Sequence, residues 1–122
     1  MIPEKYRKPK ATPIDVEGFG SVFVRRLSLD EYAAAIRAIN AADTPEDRLL
    51  VVGKCLVAPS LVDAYGNREI PDTDLGEAGQ LDAGLVRGIT PELYKINGIT
   101  FTAREELEKN SEPTPSGSPN SD

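Results

Sequence analysis

The apolar positions of this chain change period as they run from residue 13 to residue 60. Ile14 and Val16 alternate with Asp15 and Glu17, the period-two pattern of a half-buried strand. Gly18-Phe19-Gly20 supplies a turn, and Ser21-Val22-Phe23-Val24-Arg25-Arg26 is rich in β-branched and aromatic residues. Residues 13–26 are therefore predicted to form a β-hairpin. A lone hairpin is marginal in water, so it must pack on helices of its own chain or gain a strand.

The period then becomes helical. Leu29, Tyr32, Ala33, Ile36 and Ile39 make one apolar stripe, and Ser28 stands three residues before Glu31, the spacing of a capping box. A first helix is predicted from Ser28 to near Asn40. Thr44-Pro45-Glu46-Asp47 opens a second, with Thr44 as cap and Pro45 at the first helical position. Its body, Arg48 to Val57, is apolar almost all round, which marks a central core helix or an interface. Ala58-Pro59-Ser60 is predicted to break it. Leu61 to Ile70 suggests a short hairpin around Gly66-Asn67, and Asp72 a cap for a weak helix through Leu75, Ala78 and Leu81. Asp82 caps a last segment with Leu85, Val86 and Ile89 apolar, which Pro91 either kinks or restarts, and which stops at Asn97-Gly98. Residues 103–110 suit a short charged helix. Residues 111–122 hold no apolar side chain and are predicted to be disordered.

The expected architecture is thus a small α+β domain, mostly helical, with an N-terminal β-hairpin and a disordered C-terminal tail. Residues 1–12 form a flexible basic arm, 13–110 the folded domain and 111–122 a Ser/Pro-rich tail. Composition narrows the function. The 122 residues carry 14 Lys and Arg against 20 Asp and Glu, a formal net charge of −6. That balance argues against nucleic acid as a partner and suits a basic or apolar one. No apolar run approaches the roughly 20 residues that span a bilayer, and the first residues lack the apolar run of a signal peptide. A cytoplasmic location is expected. Cys55 is the one cysteine, so no internal disulfide is available.

The chain has no histidine, which removes the commonest general base and metal ligand. Asp72, Asp74, Gly76 and Glu77 do not fit a calcium loop, since Gly76 stands at the fifth place where an oxygen ligand is needed and Ala83 at the twelfth where an acid is, and they suit capping and turns better. Glu105, Glu106 and Glu108 suit a solvated face better than a catalytic pair. No catalytic, cofactor or metal site is expected, and the protein is expected not to be an enzyme.

Several segments in order resemble the tail assembly chaperones of long-tailed (siphovirus) bacteriophages and prophages. They are the strand Gly20 to Arg25, the helix Leu29 to Ile39, the apolar helix Arg48 to Leu56 and the loop Asp63-Ala64-Tyr65-Gly66-Asn67-Arg68. Pro71-Asp72-Thr73-Asp74, Gly79-Gln80-Leu81-Asp82, Ile96-Asn97-Gly98 and Glu105 to Asn110 complete the set, which spans about residues 15 to 110. The resemblance implies a late protein of virion assembly that works in the host cytoplasm and is absent from the mature virion. It implies that the chain binds the tape measure protein, keeps it soluble and promotes tail tube polymerisation around it. A longer frameshifted form would bring in the tail tube protein, and Lys109 and Asn110 mark the candidate slip, since Glu-Lys-Asn can be encoded GAA-AAA-AAC. Candidate client contacts are Leu49, Val52 and Leu56 on the second helix and Leu93, Tyr94 and Ile96 near the end of the last. Self-association, through the basic arm or by edge pairing of strands, is a further partner option. The rival reading is a structural head–tail or tail component retained in the virion.

Overall fold

The computed structural model describes residues 1–7 and 9–100. The chain begins with a single 3-10 turn, Glu4–Tyr6, followed by β1 (Thr12–Val16) and β2 (Gly20–Val24). Then come α1 (Leu29–Ala41) and α2 (Pro45–Val52), a π-helical turn (Gly53–Val57), α3 (Ala58–Ser60) and β3 (Leu61–Val62). A 3-10 segment (Asp72–Gln80) and α4 (Ala83–Ile96) complete the fold. The α+β architecture with an N-terminal hairpin is as the residue pattern predicts. The predicted helix at 103–110 and the predicted disorder at 111–122 lie outside the described residues.

The hairpin register pairs Ile14 with Val22 and Thr12 with Val24, and the turn closes with the Phe19 N–H donating to the Val16 carbonyl. Gly18 and Gly20 both take positive φ there, which a side chain would resist. The strand that the hairpin needs comes from its own chain. β3 pairs antiparallel with β2, Phe23 opposite Val62 and Val24 opposite Leu61, giving the order β1-β2-β3. The helix α4 packs on β1, and so closely at Gly88 that a Cβ there would stand 3.2 Å from Val16 Cγ1.

Both predicted caps of the first two helices are present. The Glu31 N–H donates to Ser28 Oγ, and the Ser28 N–H donates back to Glu31 Oε1. The Asp47 N–H donates to Thr44 Oγ1. The α1 stripe differs from the expectation at its start: Leu29 is 81% exposed, and Ala35 is buried with Ile39. Leu29 falls in the first turn, ahead of where the helix meets the core.

The break expected at Ala58-Pro59-Ser60 falls at the last of these residues, where α3 ends and Leu61 turns extended. Backbone dihedrals stay helical from α2 through the π turn into α3. The widened turn lies directly before Pro59, whose ring would crowd the Cys55 carbonyl in a regular α-helix. Ser60, the one buried polar residue among the described residues, donates its hydroxyl to the Leu56 carbonyl at 2.6 Å. Of the two outcomes expected at Pro91, the restart does not occur: α4 is continuous from Ala83 to Ile96 with the proline inside it. Pro91 and Arg87 are both exposed, so the carbonyl the proline frees faces water. Asp82 does cap α4, accepting from the Leu85 N–H, and Gly98 follows its end with positive φ. Asp72 is not a cap. Pro71 takes the N-cap place without a side-chain bond, and Asp72 lies inside the 3-10 segment.

The core gathers Val16 and Val24 from the sheet, Ile39 from α1, Val52, Leu56 and Val57 from the helical rod that runs from α2 through the π turn to α3 (Pro45 to Ser60), and Leu85, Val86, Ile89 and Leu93 from α4. Leu56, Val57, Ile89 and Leu93 are fully buried. Leu56→Ala leaves a cavity among tightly packed neighbours, and a loss of about 2–5 kcal/mol is expected. Chemical denaturation read by circular dichroism checks it; a loss under about 1 kcal/mol would show a looser centre than this packing describes.

Candidate functional site

Of the six residues singled out as client contacts, the fold buries three. Val52, Leu56 and Leu93 are core residues, at most 4% exposed, so as surface contacts they are corrected: the helix faces that carry them are covered by one another. Tyr94 and Ile96 are half-buried and pack against that core. Leu49 is half-buried too, but it lines a cleft between α2, the 3-10 segment and the start of α4. Lys109 and Asn110 lie outside the described residues.

That cleft is built by local chemistry. The α2 cap at Thr44 aims Glu46 and Asp47 into the first turn, where the helix dipole favours acids. Leu49 and Leu50 follow on the next turn. Opposite them stand Ala78, Gly79 and Leu81, and Val86 lies at the base. Leu50 remains 46% exposed, and a Cβ on Gly79 would sit 3.7 Å from Leu50 Cδ1. The result is an apolar cleft of about 350 Å³ rimmed by Glu46 and Asp47. Leu50 was missed from sequence because the helix looks apolar all round. Its signal was available: Asp47, Leu50 and Lys54 follow i, i+3, i+7 spacing, and two of the three are charged.

A second surface lies at the opposite chain end. The arm folds against the β2–α1 connection and the end of α4, leaving a groove of about 730 Å³. Ile2, Tyr6 and Leu29 are its exposed apolar side chains, and Lys5, Arg7 and Arg26 its charges. Arg7 is fixed by donating from Nε to the Ile2 carbonyl at 2.8 Å, and Lys5 Nζ stands 5.1 Å from the Tyr6 ring centre. Asn97 forms part of the wall. It accepts the Leu27 N–H at Oδ1 and donates from Nδ2 to the Leu93 carbonyl, joining elements 70 residues apart.

The polar cluster between these surfaces is a joint. Glu31 Oε2 accepts from Arg25 Nη2 at 2.9 Å and lies 3.9 Å from Arg68 Nη1. Arg68 donates from Nη2 to the Ile70 carbonyl and pairs with Asp72 at 3.0 Å. The cluster thereby clips β2, α1 and the 61–72 segment together. The loop it holds is the short hairpin expected around Gly66-Asn67. Asp63 Oδ1 accepts from the Tyr65 and Asn67 N–H groups, and Val62 bridges to Arg68. The Asn67 N–H, with help from Tyr65 and Gly66, holds the Asp63 carboxyl below its ordinary pKa. Cys55 is half-buried; burial raises its pKa and the Lys54 charge opposes this only in part, so the thiol stays protonated at neutral pH. Among the described residues, no group of three His, Cys, Asp or Glu is placed to hold a metal ion, and no helix is long and apolar enough to cross a membrane.

Comparisons with protein-family models, with curated proteins and with solved structures find no match to this chain.

Burial by itself would raise the pKa of Glu31. The hydrogen bonds from Arg25 and the Ser28 N–H, with the Arg25 charge, outweigh it and hold the carboxyl below 4.5. A carboxylate depressed by folding stabilises above its unfolded pKa, and that contribution is lost as pH falls through the folded value. Glu31→Gln is therefore expected to cost about 1 kcal/mol near neutral pH. The gap from the parent should narrow as pH drops through about 4.5 and below. Urea titrations at several pH values measure it; a gap that widens on acidification contradicts this assignment.

Proposed function

We propose that this chain is a tail assembly chaperone of a long-tailed bacteriophage or prophage, acting in the host cytoplasm on the tape measure protein without catalysing a reaction. The observation that carries the reading is the ordered resemblance of residues 15–110, from the Gly20–Arg25 strand to the Glu105–Asn110 segment. The geometry is compatible with holding. A client with an exposed apolar stripe needs a partner with apolar surface in small patches and enough net charge to stay dispersed. The Leu49–Leu50 cleft is such a patch, and its Glu46 and Asp47 rim favours an apolar helix flanked by basic residues. The client contact thereby moves from the buried Val52, Leu56 and Leu93 to Leu49 and Leu50. The chaperone leaves before the particle is complete, and a frameshift at Lys109-Asn110 would supply a longer form that meets the tail tube protein.

Co-expression with the tape measure gene of the same cluster tests the reading. The tape measure protein is expected in the soluble fraction and in one complex with this chain. A tape measure protein that is soluble alone and never co-elutes ends the proposal. Leu50→Ser should leave folding intact, because the side chain is half in water already. It should weaken capture about tenfold, the scale of one leucine's burial. Binding unchanged by that substitution would remove the cleft from the interface.

A further inference from the structure

The basic groove at the arm differs from the rest of this acidic molecule. Lys5, Arg7 and Arg26 line it, and no carboxylate does among the described residues. Three apolar side chains, Ile2, Tyr6 and Leu29, stand exposed beside those charges, between 59% and 81% open to water. Such a surface fits an acidic segment that carries its own apolar side chains. One is already tethered there. Asn97 is part of the groove wall, Ile99 is pinned by its N–H donating to the Tyr94 carbonyl, and Thr100 is the last described residue. Directly beyond it the sequence runs Phe101-Thr102-Ala103-Arg104-Glu105-Glu106-Leu107-Glu108, with three carboxylates around Leu107.

We propose that residues 101–108 of the same chain dock into this groove, with Phe101 and Leu107 against Ile2, Tyr6 and Leu29, and Glu105, Glu106 and Glu108 facing Lys5, Arg7 and Arg26. The tether decides in favour of this occupant. Ten residues separate Asn97 from Leu107, a reach of up to about 35 Å when extended, so the segment can cover the groove. A short tether also gives an effective concentration on the order of millimolar. A second copy or a separate acidic partner must outcompete that. Docking does not depend on the chaperone reading, because it involves no client and leaves the Leu49–Leu50 cleft uncovered.

The test uses the full 122-residue chain. A nitroxide is attached at Leu107→Cys in a Cys55→Ala background, and amide line broadening is read by NMR. Near about 0.1 M salt, the amides of Tyr6, Arg7 and Leu29 are expected to broaden well beyond those of Leu50 and Glu77, which line other clefts. Raising salt to about 1 M, where the screening length is about 3 Å, should cut that broadening at least in half. The triple variant E105K/E106K/E108K alters no described residue and should abolish it while the core spectrum stays put. Equal broadening at Leu50 and Glu77, or broadening that survives both changes, overturns the proposal. So does broadening that persists in a mixture of nitroxide-bearing and isotope-labelled chains, because the contact then belongs to a second copy.

Discussion

Everything in this fold hangs on burying the inner face of one helical turn, Gly53–Val57, while Lys54 stays in water and Cys55 half-covered. α1, α2, α4 and the 72–80 segment all pack on or continue from it. Leu56, Val57, Ala58 and Ser60 are fully out of water. At about 25 cal/mol per Å² of apolar surface, a turn this enclosed supplies more stabilisation than its own backbone geometry, which is the poorer π form. The enclosure also fixes the sheet. The rod delivers the Ser60 carbonyl to the Arg25 N–H, and the next two residues fall beside β2 as its partner strand. A hairpin that would be marginal alone is thereby completed on one edge by the rod's own continuation.

That arrangement uses up the helix faces that the sequence offers most openly. Among the described residues, exposed apolar side chains beside charges stand at two rims of opposite character, apart from Phe19 and Tyr65 at the hairpin and loop tips. The Leu49–Leu50 cleft is acid-rimmed, and the arm groove is basic. The charged cluster of Arg25, Glu31, Arg68 and Asp72 lies on neither. Its members hold the end of β2, α1 and the loop after β3 together.

The parts of the structure legible in the sequence are those whose cause is local. Ser28 with Glu31, Thr44 with Asp47, Asp82 with Leu85 and the Gly18–Gly20 turn all act over two or three residues, and each forms as read. The rest is tertiary. Pro59 sits inside the last helical turn and Pro91 inside α4, where a widened turn before one and water beside the other absorb the lost bonds. The Leu61–Val62 strand depends on a partner nearly 40 residues away. An all-round apolar helix gives no hint of which face stays open, and Val52 and Leu56 fall on the closed one. Leu50, flanked along its face by Asp47 and Lys54, carried that hint in its neighbours. Asn97 was legible as a helix stop, while its bond to the Leu27 N–H, which builds the groove wall, was not.

The central claim is that this core is closed and opens only when the whole domain does. Native-state hydrogen exchange on the full chain, followed across low denaturant concentrations, addresses it directly. The amides of Leu56, Val57, Ile89 and Leu93 should exchange with the free energy and denaturant dependence of global unfolding. Exchange at those positions through a cheaper, denaturant-independent opening would contradict the account, because Leu56 and Leu93 would then reach water without global unfolding.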